Sequence, residues 1–109
     1  MREPRTLIVG DVHGCADELE ELLALAGFQP GDRLILVGDM VAKGPDSGRV
    51  VGRVRELGGT SVLGNHELPI LAWDRAVREG TTMPKIKDVH RQVALALSPS
   101  DHAWLATLP

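Results

Sequence analysis

The chain has 109 residues, of which 43% are hydrophobic and 25% are charged, a composition typical of a folded domain and unlike that of a disordered, collagen-like or membrane-spanning chain. Its formal net charge is −3, with 12 basic and 15 acidic residues spread along the sequence, so neither nucleic acid nor a membrane is expected as an obligatory partner. The single cysteine cannot form an intrachain disulfide and the N-terminus lacks the apolar run of a signal peptide, which makes the cytoplasm the expected location.

Short apolar runs alternate with segments of helical periodicity in the first half of the chain. The apolar runs predict strands at residues 7–9, 34–37 and 61–63. Apolar residues at helical spacing predict helices that include residues 19–26 and 50–57. Gly27 is predicted to end the first helix, and Asp46 or Ser47 to cap the start of the second. Such alternation is typical of parallel strands joined by right-handed crossovers, so the predicted fold class is α/β.

The second half of the chain is predicted to be helical. A helix over residues 67–79 begins near Pro69, which is tolerated in a first helical turn. Apolar residues at helical spacing predict another helix over residues 87–97. The Ser-Pro-Ser-Asp segment at residues 98–101 has the side chains of a helix cap and predicts a last short helix at residues 102–107.

A carboxylate and an imidazole follow the first predicted strand. In the Gly-Asp-Val-His-Gly segment at residues 10–14, Asp11 and His13 are two positions apart and point to the same side of an extended chain. Both side chains can therefore bind one metal ion, while the flanking glycines let the backbone turn tightly. An isolated Asp-x-His pair is weak evidence, because a turn aspartate beside a surface histidine explains most of them.

The next two predicted strands end in a similar way. Asp39 follows Gly38 after the second strand, and a Gly-Asn-His-Glu segment at residues 64–67 follows the third. Because the carboxyl ends of parallel strands meet at one edge of a sheet, these polar residues are expected to lie together. Packing alone does not explain the repetition, since buried Asp and Asn side chains carry a desolvation cost unless they are paired or coordinated. The strand ends therefore predict a metal site.

Taken together, the motifs at residues 10–14, 38–45 and 64–67 resemble those of the calcineurin-like metallophosphoesterases, in the phosphoprotein-phosphatase branch of that family. The Lys-Gly-Pro-Asp-Ser segment at residues 43–47 is most similar to the bacterial dinucleoside-tetraphosphatase-like, or ApaH-like, phosphatases. The resemblance implies the N-terminal half of a four-layer α/β/β/α sandwich. It also implies hydrolysis of phosphate monoesters or phosphoanhydrides with two divalent ions, for which Mn, Fe or Zn suits the carboxylate, imidazole and amide ligands.

The resemblance also implies a role for each polar residue of the motifs. The metal ligands that it implies are Asp11, His13, Asp39 and Asn65. Asp39 would bridge the two ions, and His66 would be the catalytic acid that protonates the leaving oxygen. Lys43 and Asn65 would contact the phosphate of the substrate.

Two positions depart from the better-known protein-phosphatase pattern. Ala42 stands where that branch has an Asp that orients the catalytic histidine, and the sequence does not identify a replacement. Lys43 stands where it has an Arg, so phosphate is met by a point charge and not by a planar fork. Both changes favour nucleotides or polyphosphates over phosphoproteins as substrates.

Four further residues are expected to have structural roles. Cys15 is expected to pack in the interior, since a metal site needs no thiol nucleophile. Glu67 is expected to hydrogen-bond the site without binding metal. His90 and His102 lie on predicted helices far along the chain from the motifs, so they are interpreted as surface or edge residues.

Relatives of this family complete the site with two further histidines from later strands, and neither motif occurs here. Residues 1–109 are therefore expected to be a C-terminally truncated metallophosphoesterase domain, with activity belonging to the full-length parent. The partners expected are a phosphorylated small molecule, nucleotide, polyphosphate or phosphoprotein. The alternatives that stay open are a serine/threonine protein phosphatase, a phosphodiesterase of the wider superfamily and a non-catalytic metal- or phosphate-binding fragment.

Overall fold

The computed structural model describes residues 3–42, 44 and 46–109. The elements in chain order are β1 (Thr6–Val9), α1 (Ala16–Ala26), β2 (Arg33–Leu36), α2 (Ser47–Glu56), β3 (Thr60–Ser61), α3 (Leu68–Glu79), α4 (Asp88–Ala96) and α5 (Pro99–Ala106). Within these ranges, three strands form one parallel sheet in the order β1-β2-β3. The predicted α/β class with parallel strands is confirmed.

The sheet places the carboxyl ends of its strands at one edge. Val9 is the register partner of Leu36, which is in turn the partner of Ser61. β3 is shorter than predicted and ends at Ser61. Beyond it, the N–H of Val62 still donates to the carbonyl of Leu36 of β2 (3.4 Å), and the N–H of Leu63, on the opposite edge, donates to the carbonyl of Pro109 (2.8 Å). The segments that follow the strands therefore emerge side by side.

One face of the sheet is covered by helices and forms the core. Sequential strand order with right-handed crossovers puts α1 and α2 on the same face, and α4 and α5 pack against α2 there. Leu34 and Leu36 of β2 point into this core and are at most 2% exposed. The valines of α2 at helical spacing meet them and are fully buried, namely Val50, Val51 and Val54.

The opposite face of the sheet carries exposed apolar side chains and is called the open face below. Ile8 of β1, paired in register with Ile35, is 66% exposed. Val37 and Val62, just beyond β2 and β3, are 49% and 47% exposed. Neighbouring apolar side chains of this size left in water are typical of a surface that another element covers.

The helix ends follow local side-chain chemistry. Gly27 ends α1 in the left-handed conformation with φ of 67°, as predicted. The carboxylate of Asp46 caps α2 by accepting from the N–H of Arg49 (3.1 Å). The prediction that the last helix starts at residue 102 is wrong by three residues, because Ser98 and Asp101 form a capping box that lets α5 begin at Pro99.

None of the helices in the described part of the chain has the length and apolar character needed to span a membrane.

Candidate metal centre

The segments that leave the three strands are bonded to one another at the carboxyl edge of the sheet. We call them the β1 loop (residues 10–15), the β2 loop (residues 37–42) and the β3 loop (residues 62–67). The N–H groups of His13 and Gly14 donate to the carbonyls of Asp39 (2.9 Å) and Met40 (2.7 Å). The N–H of His66 donates to Oδ1 of Asp39 (3.0 Å). These bonds fix the loops relative to each other before any ligand is considered.

This bonding brings together three of the predicted metal ligands. Asp11, His13 and Asp39 each offer one ligand atom, and these atoms all lie within 4.8 Å of one another. Nε2 of His13 is 3.5 Å from Oδ2 of Asp11. Asp11 is exposed and the other two are half-buried, so the group can be reached from solvent. An imidazole and two carboxylates at this spacing are suited to a divalent ion.

Two of these three residues have strained backbones. Among the described residues, the non-glycine residues with positive φ are His13 (50°), Asp39 (54°) and Ala42 (69°). The left-handed conformation costs ~1–3 kcal/mol for a residue with a side chain and persists only where the surroundings hold it. The bonds between the β1 and β2 loops supply that hold. Strain that is concentrated on candidate ligands indicates a functional site.

The glycines next to the ligands differ in how closely other atoms approach them. A Cβ added to Gly64 would lie 2.5 Å from the backbone nitrogen of Asp39 and would also collide with its carboxylate. Gly38, with φ of 92°, has only backbone facing it, since its Cβ would be 2.9 Å from the Cα of Gly64. Gly10, in contrast, has nothing within 4 Å of an added Cβ. The β2 and β3 loops thus approach each other more closely than side chains would allow.

Glu67 connects the same two loops from beneath. Its side chain is fully buried, and Oε1 accepts from the N–H of Asp39 (2.6 Å) and from the N–H of Gly64 (2.9 Å). Burial raises the pKa of the Glu67 carboxyl above its ordinary value, an effect that these backbone N–H groups partly oppose. The hydrogen-bonding role predicted for Glu67 is confirmed.

His66 and His90 are in direct contact. Nδ1 of His66 lies 2.8 Å from Nε2 of His90, which is on α4. On its other side, the His66 ring meets the His13 ring edge-on, with centroids 5.1 Å apart and planes at 88°. His66 thereby lies between the candidate metal ligands and α4.

The interpretation of His90 and His102 as surface or edge residues is wrong, since each is 7% exposed. His102 on α5 lies inside because its Nε2 contacts the carbonyl of Ala94 (2.8 Å). His90 shares the buried stripe of α4 with Val93 and Ala94, three and four positions further on. That spacing is the signal in the sequence from which the inward position of His90 could have been predicted.

The other predicted site residues are less defined. Asn65 is exposed on the β3 loop between Gly64 and His66, at the correct edge of the sheet, and its metal and phosphate roles stay predictions. Lys43 lies outside the described residues, so its phosphate contact also stays a prediction. Ala42 is fully buried, and its N–H donates to Oγ of Ser47 (2.9 Å). The Ala42 methyl group cannot form a hydrogen bond with the His66 ring.

Comparison with known proteins identifies the family. Residues 4–104 match the model of the calcineurin-like phosphoesterases. The chain belongs to this family. A symmetrical bis(5'-nucleosyl)-tetraphosphatase from Tolumonas auensis is 46% identical over 110 residues, which cover 95% of this chain. The enzyme of the same name from Edwardsiella ictaluri is 50% identical over 86 residues, or 76% of this chain.

A solved structure is similar to this calcineurin-like phosphoesterase chain in both sequence and fold. It is provisionally assigned as a diadenosine tetraphosphatase and superimposes with a TM-score of 0.78, at 37% identity over 95% of this chain. The chain spans 42% of the length of that protein, and 38% and 29% of the lengths of the two relatives above.

Membership of the calcineurin-like phosphoesterases implies divalent metal ions, and the donors present fit them. The clustered donors are oxygen and imidazole nitrogen atoms, with no thiolate among the described members of the group. The structure thus provides an acidic, solvent-accessible centre at which ions can be held.

Proposed function

We propose that the full-length protein hydrolyses phosphoanhydride or phosphate-ester bonds of a nucleotide-type substrate, with two divalent ions held at the candidate metal centre. The observation that carries the proposal is the convergence of Asp11, His13 and Asp39 at the carboxyl edge of the sheet. In open α/β sheets this edge is where ligands bind. Relatives named as symmetrical bis(5'-nucleosyl)-tetraphosphatases support a dinucleoside polyphosphate as the substrate class.

In this proposal, Asp11 and His13 would hold the first ion, Asp39 would be shared by both ions, and Asn65 of the β3 loop would contribute to the second. The remaining ligands would come from a part of the full-length protein that corresponds to the unmatched part of the Tolumonas relative, of which this chain covers 38%. Two divalent ions held by these residues would supply polarisation of the phosphoryl group and activation of water as the nucleophile. Mn, Fe or Zn is the expected metal.

His66 acts as the proton donor in the same proposal. Its Nδ1 is engaged by His90, so Nε2 is the ring nitrogen that can serve a leaving oxygen. Protonation of the leaving group by a positioned side chain contributes ~10²–10⁴-fold to a rate. Lys43 and Asn65 are proposed to contact the phosphate.

The open face supports a proposal about domain organisation. We infer that residues 1–109 form the N-terminal part of one metallophosphoesterase domain, and that a second sheet of the same domain covers Ile8, Val37 and Val62. This places the chain in half of a four-layer α/β/β/α sandwich. A non-catalytic fragment that binds only metal or phosphate is the alternative. The exposed apolar side chains of the open face argue against it, because such a fragment would leave them uncovered.

A substrate panel tests the proposed function. The full-length protein with Mn²⁺ is expected to release product from diadenosine tetraphosphate faster than from a phosphoserine peptide, inorganic polyphosphate or a phosphate diester, and to stop when the metal is chelated. Equal turnover of the phosphopeptide would favour a protein phosphatase. No turnover of any member with Mn²⁺, Fe²⁺ or Zn²⁺ would contradict the enzymatic proposal.

A single substitution tests the metal assignment. Asp39→Asn removes a charge from the bridging position and is expected to lower kcat at least ~10³-fold, since metal-ion catalysis supplies several kcal/mol of barrier reduction. The matched control is Asp17→Asn, because Asp17 is an exposed carboxylate of α1 that pairs with Arg49 on the surface. Metal content measured on both variants separates lost binding from lost chemistry. Undiminished turnover in Asp39→Asn would refute the assignment.

A further inference from the structure

We propose that His90 is a positioning residue that holds the ring of His66 in the orientation needed for proton donation. The inference rests on the proposed function, because it is there that His66 is given the role of proton donor. It is carried by the 2.8 Å contact between Nδ1 of His66 and Nε2 of His90. This distance is that of a hydrogen bond between two ring nitrogens.

The contact fixes which nitrogen of His66 is available for chemistry. A histidine that donates a proton from Nε2 carries hydrogen on both nitrogens before the transfer and on Nδ1 afterwards. In both states the Nδ1–H can donate to Nε2 of His90, provided that His90 keeps its own hydrogen on Nδ1. The hydrogen bond therefore persists through the transfer, and the Nε2–H of His66 stays directed away from α4.

The position of His90 is set by core packing and not by the loops of the metal centre. His90 is 7% exposed and lies on the stripe of α4 that also buries Val93 and Ala94. α4 in turn packs against α2 and α3. A ring anchored in this way has few alternative rotamers, so it can define the orientation of a neighbour that sits on a loop.

The His66 ring is restrained from two sides. His13 meets it edge-on at a centroid distance of 5.1 Å, while the His90 ring lies at 5.0 Å with planes inclined by 54°. The His13 contact limits sideways movement, but it offers no hydrogen bond that distinguishes Nδ1 from Nε2. That distinction comes from His90, and Ala42, with its methyl side chain, does not supply it.

Paired substitutions in the full-length protein test the proposal. His90→Leu removes the hydrogen bond while keeping a buried side chain of similar length, and it is expected to lower kcat ~10–100-fold with KM changed less than ~3-fold, as for loss of part of a general-acid contribution. His90→Gln, whose amide can reach the same position, is expected to restore kcat to within ~5-fold of the wild type. His102→Leu is the matched control, since His102 is equally buried and contacts the carbonyl of Ala94.

The leaving group supplies a readout that general destabilisation would not move. The leaving group of phenyl phosphate is phenolate, a poor anion whose departure benefits from protonation. The p-nitrophenolate of p-nitrophenyl phosphate is stable enough to leave without being protonated. The loss in His90→Leu is expected to be clearly larger for phenyl phosphate, and His102→Leu should affect both substrates equally. An equal loss for the two substrates in His90→Leu would overturn the positioning role.

A spectroscopic measurement separates this inference from the proposed function. Ring ¹⁵N resonances of the metal-free full-length protein, labelled at histidine, report the hydrogen bond at Nδ1 of His66 directly. His90→Leu should shift them and mix the tautomers, while His102→Leu should leave them in place. Unchanged His66 resonances in His90→Leu would refute the inference even if the wild type is active. If the wild type turns over no substrate, the proposed function fails and the resonances alone decide whether His90 orients the ring.

Discussion

The strand-end loops and the open face belong to the same sheet. The described chain supplies hydrogen-bond partners for the backbone of the loops, but it does not cover the apolar side chains of the open face. In the loops, backbone groups of one loop form hydrogen bonds to those of the next, as in the donation from the N–H of His13 to the carbonyl of Asp39 (2.9 Å). On the open face, Ile8 presents 66% of its surface to solvent. The inner wall of the candidate metal centre is therefore assembled by contacts within this part of the chain, whereas the apolar side chains of the open face have no covering layer within the described residues.

The largest stability effect is expected beneath the loops. Glu67→Ala leaves the N–H groups of Asp39 and Gly64 without their acceptor, and each buried unpaired donor costs ~1–3 kcal/mol. We expect the free energy of unfolding of the full-length protein to fall by about 3 kcal/mol, measured by urea denaturation. Glu67→Gln keeps an oxygen acceptor and should lose less than half as much. If Glu67→Ala were as stable as the wild type, the loops would not depend on this carboxylate.

A smaller effect is expected where the loops touch. Gly64→Ala inserts a methyl group against the backbone and carboxylate of Asp39, and overpacking of this kind costs ~1–3 kcal/mol. The full-length variant should unfold about 2 kcal/mol more easily and bind Mn²⁺ more weakly, as read by calorimetry.

Gly10→Ala is the matched control for that variant, because a Cβ at Gly10 meets nothing within 4 Å. Its stability is expected to stay within ~0.5 kcal/mol of the wild type. Equal effects at Gly64 and Gly10 would show that the close approach of the β2 and β3 loops is not tight in solution.

The smallest effect tests the open face. If a second sheet covers it, Ile8→Ser should destabilise the full-length protein by about 1.5 kcal/mol, since a fully buried aliphatic side chain contributes ~1.5–3 kcal/mol. Leu25→Ser is the control, because Leu25 on α1 is 81% exposed and lies away from this face. It should change stability by less than ~0.5 kcal/mol. Similar small effects at both positions would mean that the face stays uncovered.

The elements that sequence reasoning placed well are those whose signals are local. The turn at Gly27 and the cap at Asp46 each depend on residues within one helical turn, and both were predicted. One error lay within a local signal, since the capping box of Ser98 and Asp101 starts α5 three residues before the predicted position. Contacts between distant parts of the chain were not predicted at all. The N–H of Leu63 donates to the carbonyl of Pro109, 46 positions away by their numbers, and no local pattern marks that bond.

The same distinction between local signals and distant contacts holds for the candidate site. The sequence by itself indicated the family and the candidate ligands Asp11, His13 and Asp39. Asp11 and Asp39 each follow a glycine at the end of an apolar run, His13 is two positions beyond Asp11, and parallel strands bring such ends together. Only the tertiary structure placed His90 against His66, since that contact joins residues 24 positions apart on a helix and a loop. Helical periodicity marks His90 as inward-facing, but which side chain an inward-facing residue meets is decided by the packing of whole helices.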